Sequence, residues 1–255
     1  MNDALKQALS AYLIALADDE LILGHRDSEW TGHAPILEED IAFANLALDE
    51  IGHARLWYEL AADLVGADKA RYPDQQVYFR PASGFRCLQL VELPKGDWAF
   101  SMLRQYLFDA FEQHCLAGLV TSQHKPLADV AARILNEELY HLRHTRAWVP
   151  RLGQGTAESH RRMQAALDEL WPYAQGLGAP LPGELESLEA RLVPGSSSLF
   201  DIWSREVTTF LSESGLQVPP ADRNVIADRA VHSEYFGALI ADLQQVAQLD
   251  PEAQW

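Results

Sequence analysis

The sequence predicts an all-α protein built on a four-helix bundle, and three observations carry that reading. Apolar residues recur at spacings of three and four along four long segments between residues 2 and 153. In two of those segments an acid-acid-x-x-His pattern falls inside the apolar stripe, Asp49-Glu50-Ile51-Gly52-His53 in one and Glu137-Glu138-Leu139-Tyr140-His141 in the other. The segments also form two close pairs, separated by a stretch at 67–95 that breaks the helical period.

Residues three apart share a helix face, so each Glu-x-x-His pair points the same way as its stripe. The first stripe reads Phe43, Leu46, Glu50, His53, Trp57, Leu60, Leu64, and the second reads Leu127, Ala131, Ile134, Glu138, His141, Thr145, Trp148, Leu152. Both are a/d seams that face a core. Burying an unpaired carboxylate costs several kcal/mol or forces it to protonate. A single Glu-x-x-His reads as a local hydrogen bond at a bundle edge, whereas two in-phase copies match bundles that hold two metal ions. Those bundles use a carboxylate from each of two helices and a Glu-x-x-His from each of the other two, so two more acids are required.

The first helix is expected over about residues 2–25, with Leu5, Leu9, Tyr12, Leu16 and Leu23 inside and Glu20 in phase with them. Alone, Glu20 would read as a solvated acid near a helix end. Its separation of 30 residues from Glu50 decides otherwise, because at 1.5 Å per residue a helical hairpin of that length brings both to one level. A turn-rich link at 30–35 follows, with Pro35 suited to the first turn of the second helix. Glu38, Glu39 and Asp40 are expected to serve that helix's N-terminus, where the dipole favours negative charge. The helix should stop near Val65, at Gly66.

Within 67–95, Gln75 to Arg80 and Leu88 to Leu93 have strand-like composition between Pro73, Pro81, Gly84 and Pro94. The whole stretch reads as a long crossover, and two antiparallel helix pairs joined by one long connection is the ferritin-like arrangement. Gly96-Asp97 caps the third helix, whose seam is Met102, Gln105, Asp109, Glu112, Leu116 and Leu119. Asp109 lies 29 residues before Glu138, close to the spacing of the first pair, and Glu112 lies 26 before it. Asp109 is therefore the preferred fourth acid. Glu112, one turn away on the same face, is a further ligand or a supporting neighbour, with an interhelix salt bridge as its plain reading.

The fourth helix should end near Gly153, and more helices are expected over 157–175, 199–214 and 230–249. Without a sharp boundary, the chain reads as one domain, 1–255, with a core bundle at about 2–153 and a helical extension at about 154–255. The extension should pack around the core or form a subunit interface.

Composition narrows the function. A net charge of −17 with a pI near 4.8 argues against nucleic-acid and anionic-membrane partners, which need basic patches. Cys87 and Cys115 have no zinc or disulfide spacing and read as buried filler in a reducing cytosol. The apolar run Ala11–Ala17 is preceded by Asp3 and followed by Asp18-Asp19-Glu20, so it is no signal peptide, and no run is long enough to span a membrane. A cytoplasmic location is expected. His25, His33, His114, His124, His144, His160 and His232 fall outside the seams or in loops and are expected to be surface or capping residues.

Glu20, Glu50, His53, Asp109, Glu138 and His141 together resemble the ligand set of the bacterial multicomponent di-iron oxygenases. The runs Glu29-Trp30-Thr31-Gly32-His33-Ala34-Pro35, Arg104 to Asp109, Tyr140 to Arg143 and Arg151 to Thr156, with the terminal Gln254-Trp255, resemble the C-type subunits of phenylacetyl-CoA epoxidase, the PaaC family. That resemblance spans essentially the whole chain. It implies a ferritin-like structural partner of a homologous catalytic A-type subunit in phenylacetate degradation, acting at the level of the complex on an acyl-CoA. In that family the C-type ligands are typically eroded, whereas here all six positions match the A-type pattern. Two iron ions are thus the implied cofactors, to activate dioxygen for insertion into an aromatic ring. No flavin, iron–sulfur or nicotinamide motif is present in the sequence, so a separate reductase is implied. In isolation the chain is expected to be able to form a homodimer. The competing reading is a self-sufficient di-iron oxygenase or oxidase component acting on another substrate; iron storage fits less well, because the crossover and the extension exceed what a bare bundle needs.

Overall fold

The computed structural model describes residues 1–220 and 228–251, and its described elements are helical throughout. Helix α1, Asp3–Ser28, starts where the Asn2 side chain accepts a hydrogen bond from the Leu5 amide at 2.8 Å, which satisfies one of the free N–H groups of the first turn. Helix α2, Leu37–Val65, begins two residues after Pro35 and ends at Gly66, whose φ of 70° is open to glycine without a Cβ penalty. Asp40 does not cap this helix but accepts from the Gly32 amide at 3.0 Å, tying down the α1–α2 link.

The crossover contains helix α3, Tyr72–Tyr78, and a single turn, α4, Gln89–Glu92. The strand-like runs expected there are not strands. Most of the first run is taken up by α3, and at the start of the second the amides are satisfied by α1 instead of by a neighbouring strand: the Arg86 amide donates to Asp18 at 2.6 Å and the Leu88 amide to Asp19 at 2.7 Å. Asp18 also accepts from Tyr58 and Arg80.

Helix α5, Trp98–Leu119, is capped by Asp97 as expected, and α6, Lys125–Gly153, follows after a short link. The hairpins α1–α2 and α5–α6 form the four-helix core. The residues facing its interior include fully buried Leu9, Leu13, Phe43, Leu46, Trp57, Met102, Ile134 and Val149. Gly24 sets the spacing of the first hairpin: a Cβ there would lie 2.8 Å from the Glu50 Cβ and 2.9 Å from the Ala47 carbonyl, so only glycine lets α1 approach α2 at this level.

Beyond the bundle come α7, Ala157–Ala174, with a Thr156–Ser159 capping box, α8, Glu184–Glu189, α9, Ser196–Glu213, and α10, Phe236–Leu249. Helices α7 and α9 pack on α5, where the Trp203 indole donates to the Leu107 carbonyl at 3.0 Å. Helix α10 starts later than expected, because Arg229 to Ser233 stay non-helical to reach Asp19 and Glu92. The Gln254-Trp255 pair lies outside the described residues.

Candidate metal centre

The bundle brings every sequence-predicted ligand to one level. Glu20 comes from α1, Glu50 and His53 from α2, Asp109 and Glu112 from α5, and Glu138 and His141 from α6, each of them at most 7% exposed. Two triplets have donor atoms mutually within 4.8 Å: Glu20, Glu50 and His53, then Glu50, Glu138 and His141. Glu50 belongs to both. Glu138 also faces both imidazoles, its Oε1 lying 2.8 Å from His141 Nδ1 and 3.4 Å from His53 Nδ1. The ring centroids of the two histidines are 6.0 Å apart.

These inward atoms are close without being hydrogen-bonded. Glu20 Oε2, Glu50 Oε2, Glu112 Oε2, both Glu138 oxygens and the Nδ1 atoms of His53 and His141 are all buried with no hydrogen-bond partner. Buried polar atoms are rarely left unpaired in folded proteins. A cluster in which so many orphaned atoms are carboxylate oxygens and imidazole nitrogens has the donor chemistry of a divalent-metal site, so the residues present fit two metal ions.

The outward atoms are paired. His53 Nε2 lies 2.7 Å from Glu137 Oε2, and His141 Nε2 lies 3.3 Å from Asp49 Oδ2. The first acid of each acid-acid-x-x-His pattern thus steadies the histidine of the opposite helix and leaves Nδ1 facing inward. Reading along one helix could not find this crossed pairing; the doubled acids were its only trace.

The two halves are related by an approximate two-fold. Trp57, seven residues after Glu50, donates from Nε1 to Glu20 at 2.7 Å; Thr145, seven after Glu138, donates to Asp109 at 3.0 Å. Asp109 therefore occupies in the second half the place of Glu20 in the first. Its other oxygen accepts from Gln105 at 2.8 Å, and the same amide reaches Glu50 at 2.7 Å. Glu112 faces Glu20 from the next turn of α5.

By themselves these groups carry conflicting charge. Burial, then Glu138, pushes Glu50 up to about 8. Burial pushes Asp109 and Glu112 well above the carboxylate range, reinforced by Glu138 and by Glu20 respectively. Burial acts against the charge on Glu138 and His53 as well, but the imidazoles hold Glu138 down to about 2, and Glu138 with Glu20 raises His53 to about 11. A bound cation removes the need for these compromises.

Two histidine expectations change. His144, expected at the surface or as a cap, is largely buried on α6 and sits 3.0 Å from Glu39, which lies in the first turn of α2 as expected. His232, expected at the surface or as a cap, is largely buried against Glu92, with Nδ1 2.7 Å from Oε1. Both pairings depend on elements far apart in sequence. His160 does cap, its Nδ1 donating to the Gly153 carbonyl at the α6 terminus at 2.7 Å.

Comparison with known proteins agrees with this architecture. The curated C-type subunit of 1,2-phenylacetyl-CoA epoxidase from Escherichia coli (strain K12) is 34% identical over 248 residues, covering 97% of this chain and 99% of the relative. The family model for the phenylacetic acid catabolic proteins, PaaA/PaaC, matches residues 1–255. The chain belongs to that family of phenylacetic acid catabolic proteins.

Proposed function

We propose that this chain is the C-type subunit of a phenylacetyl-CoA epoxidase, the partner of a homologous A-type catalytic subunit, working in the cytoplasm with a separate reductase. The observation that carries the reading is likeness over the full length of the Escherichia coli C-type chain. We read residues 1–255 as one domain, supported by the way α7 and α9 share α5 with the core hairpins.

Its bundle differs from a passive scaffold by the orphaned donor atoms, and we assign two iron ions to it. Glu20, Glu50 and His53 would hold one, and Asp109, Glu138 and His141 the other, with Glu112 as a further donor. Bound there, iron supplies dioxygen activation. The chain's own contribution is to fix both imidazoles through Glu137 and Asp49, to exclude water with the surrounding leucines and aromatics, and to neutralise the ions with buried carboxylates.

A surface stripe fits the partnership. Leu37, Ile41, Leu48 and Ile51 share one outer face of α2 and are exposed, as are Leu139 and Tyr140 of α6. For acyl-CoA phosphates, in contrast, one cleft among the described residues offers little free positive charge. In the cleft between the α5 N-terminus and α7, Arg161 and Arg162 are engaged by Glu158, Arg162 also by Asp97, and Glu169 stands alongside.

Co-expression with a homologous A-type partner tests the assignment. A stable heterocomplex that turns over phenylacetyl-CoA, with up to two iron ions in this chain beyond those of the A-type partner, is expected. A homodimer that ignores the A-type partner, or that binds acyl-CoA tightly alone, would favour a self-sufficient oxygenase component. No metal after iron(II) reconstitution would leave the scaffold role alone.

A further inference from the structure

We propose that Cys87, Glu92 and His232 form a second metal site, for one zinc-class divalent ion, that fastens the crossover to the segment preceding α10. None of the three belongs to the bundle-core set. Cys87 precedes the α4 turn and Glu92 ends it, while His232 arrives from 140 residues further on.

The donor set is mixed and convergent. His232 Nδ1 lies 2.7 Å from Glu92 Oε1, Cys87 Sγ lies 3.4 Å from the same oxygen, and Sγ lies 4.0 Å from Nδ1. In a tetrahedral zinc site, metal–ligand bonds of about 2.0–2.3 Å give donor–donor edges of about 3.3–3.6 Å. The observed edges bracket those values, so small side-chain rotations suffice to close the three donors on one ion. The fourth position falls to water. Glu92 Oε2 is already fixed by the Ser233 amide at 2.6 Å, which leaves Oε1 turned toward the other donors. The His232 ring is stacked on Phe236 at 3.9 Å between centroids, which fixes its plane.

Among the described residues, Glu92 lacks the guanidinium that its buried acidic neighbours have. Asp18 and Asp19, also buried beneath the crossover, each hold a guanidinium, Arg80 and Arg229. Glu92 is fully buried, yet among the described residues its carboxylate contacts no lysine or arginine, only a thiol, an imidazole and an amide. A buried carboxylate needs compensating positive charge. A divalent ion supplies it and displaces the Cys87 thiol proton to solvent, leaving thiolate, carboxylate and imidazole around the metal. Soft thiolate with imidazole selects zinc or cobalt over magnesium or calcium.

Cobalt(II) titration of the metal-free full-length chain reads this site against the oxygen-rich core, because only a thiolate ligand gives the intense sulfur-to-cobalt charge-transfer band in the near ultraviolet. The expected result is a band whose full intensity corresponds to one thiolate-bound cobalt per chain, that is displaced by zinc, persists in Cys115→Ser and disappears in Cys87→Ser. If Cys87→Ser does not fold, His232→Gln must weaken cobalt binding at this band at least tenfold. No band in the native chain, a band that survives Cys87→Ser, or unchanged affinity in His232→Gln overturns the proposal.

Discussion

His53 of α2 is held by Glu137 of α6, whose carboxylate lies 2.7 Å from the imidazole Nε2, while Asp49 of α2 returns the contact to His141 of α6 at 3.3 Å. The crossing ties the two motif-bearing helices together through the backs of their inward-facing rings. It also fixes which nitrogen faces inward.

Glu137→Gln and Asp49→Asn should therefore leave the helices folded but loosen the rings. Loss of an outer carboxylate partner typically costs 10–100-fold in metal affinity, and each variant is expected to weaken iron binding by about that factor. Competitive chelator titration against the native chain reads the change. Affinities unaltered in both variants would detach these acids from the metal centre.

Asp109 and Glu112 can be told apart by stoichiometry. Because Asp109 stands where Glu20 stands in the other half, Asp109→Asn should drop the iron content from two to about one per chain. Glu112→Gln should keep both ions at reduced affinity. The opposite order of effects, measured by elemental analysis on matched preparations, would make Glu112 the ligand and Asp109 its neighbour.

The core acids should cost stability when empty. Replacing Glu50 and Glu138 together by leucine removes two buried carboxyls and lets both imidazoles become neutral, and exchanging buried ionic groups for apolar ones is often neutral or stabilising by about 1–4 kcal/mol. The metal-free double variant is expected to melt no lower than the metal-free native chain and to bind no iron. A clearly lower Tm would show the acids to be structural hydrogen-bonders.

Asp27, which is outside the ligand set, gives a pH signature. Burial, partly offset by Arg104 at 2.9 Å, raises it from 3.8 to about 6. A carboxyl whose folded value lies above its unfolded value favours the fold most below the unfolded value, and that contribution is lost as pH rises through the folded one. Between about pH 4 and pH 6 this group therefore lowers stability with rising pH. Asp27→Asn abolishes its titration, so the stability of the native chain relative to the variant should fall across that window. Parallel denaturation curves for the two proteins at each pH would refute the assignment.

Helical periodicity and rise per residue were enough to place the four-helix core, the cap at Asp97, the stop at Gly66 and the level at which Glu20, Glu50, His53, Asp109, Glu138 and His141 meet. Those quantities are local and regular, so they can be read along a single segment. Contacts between segments of no shared period came only with the packed chain. Glu137 and Asp49 reach across to opposite helices, Glu39 finds His144, and Glu92 is met by His232 from 140 residues away. The crossover shows the same division. Its β-branched and aromatic residues suggested strands, but a strand needs a partner edge, and the buried carboxylates of α1 took the amides that such an edge would have paired.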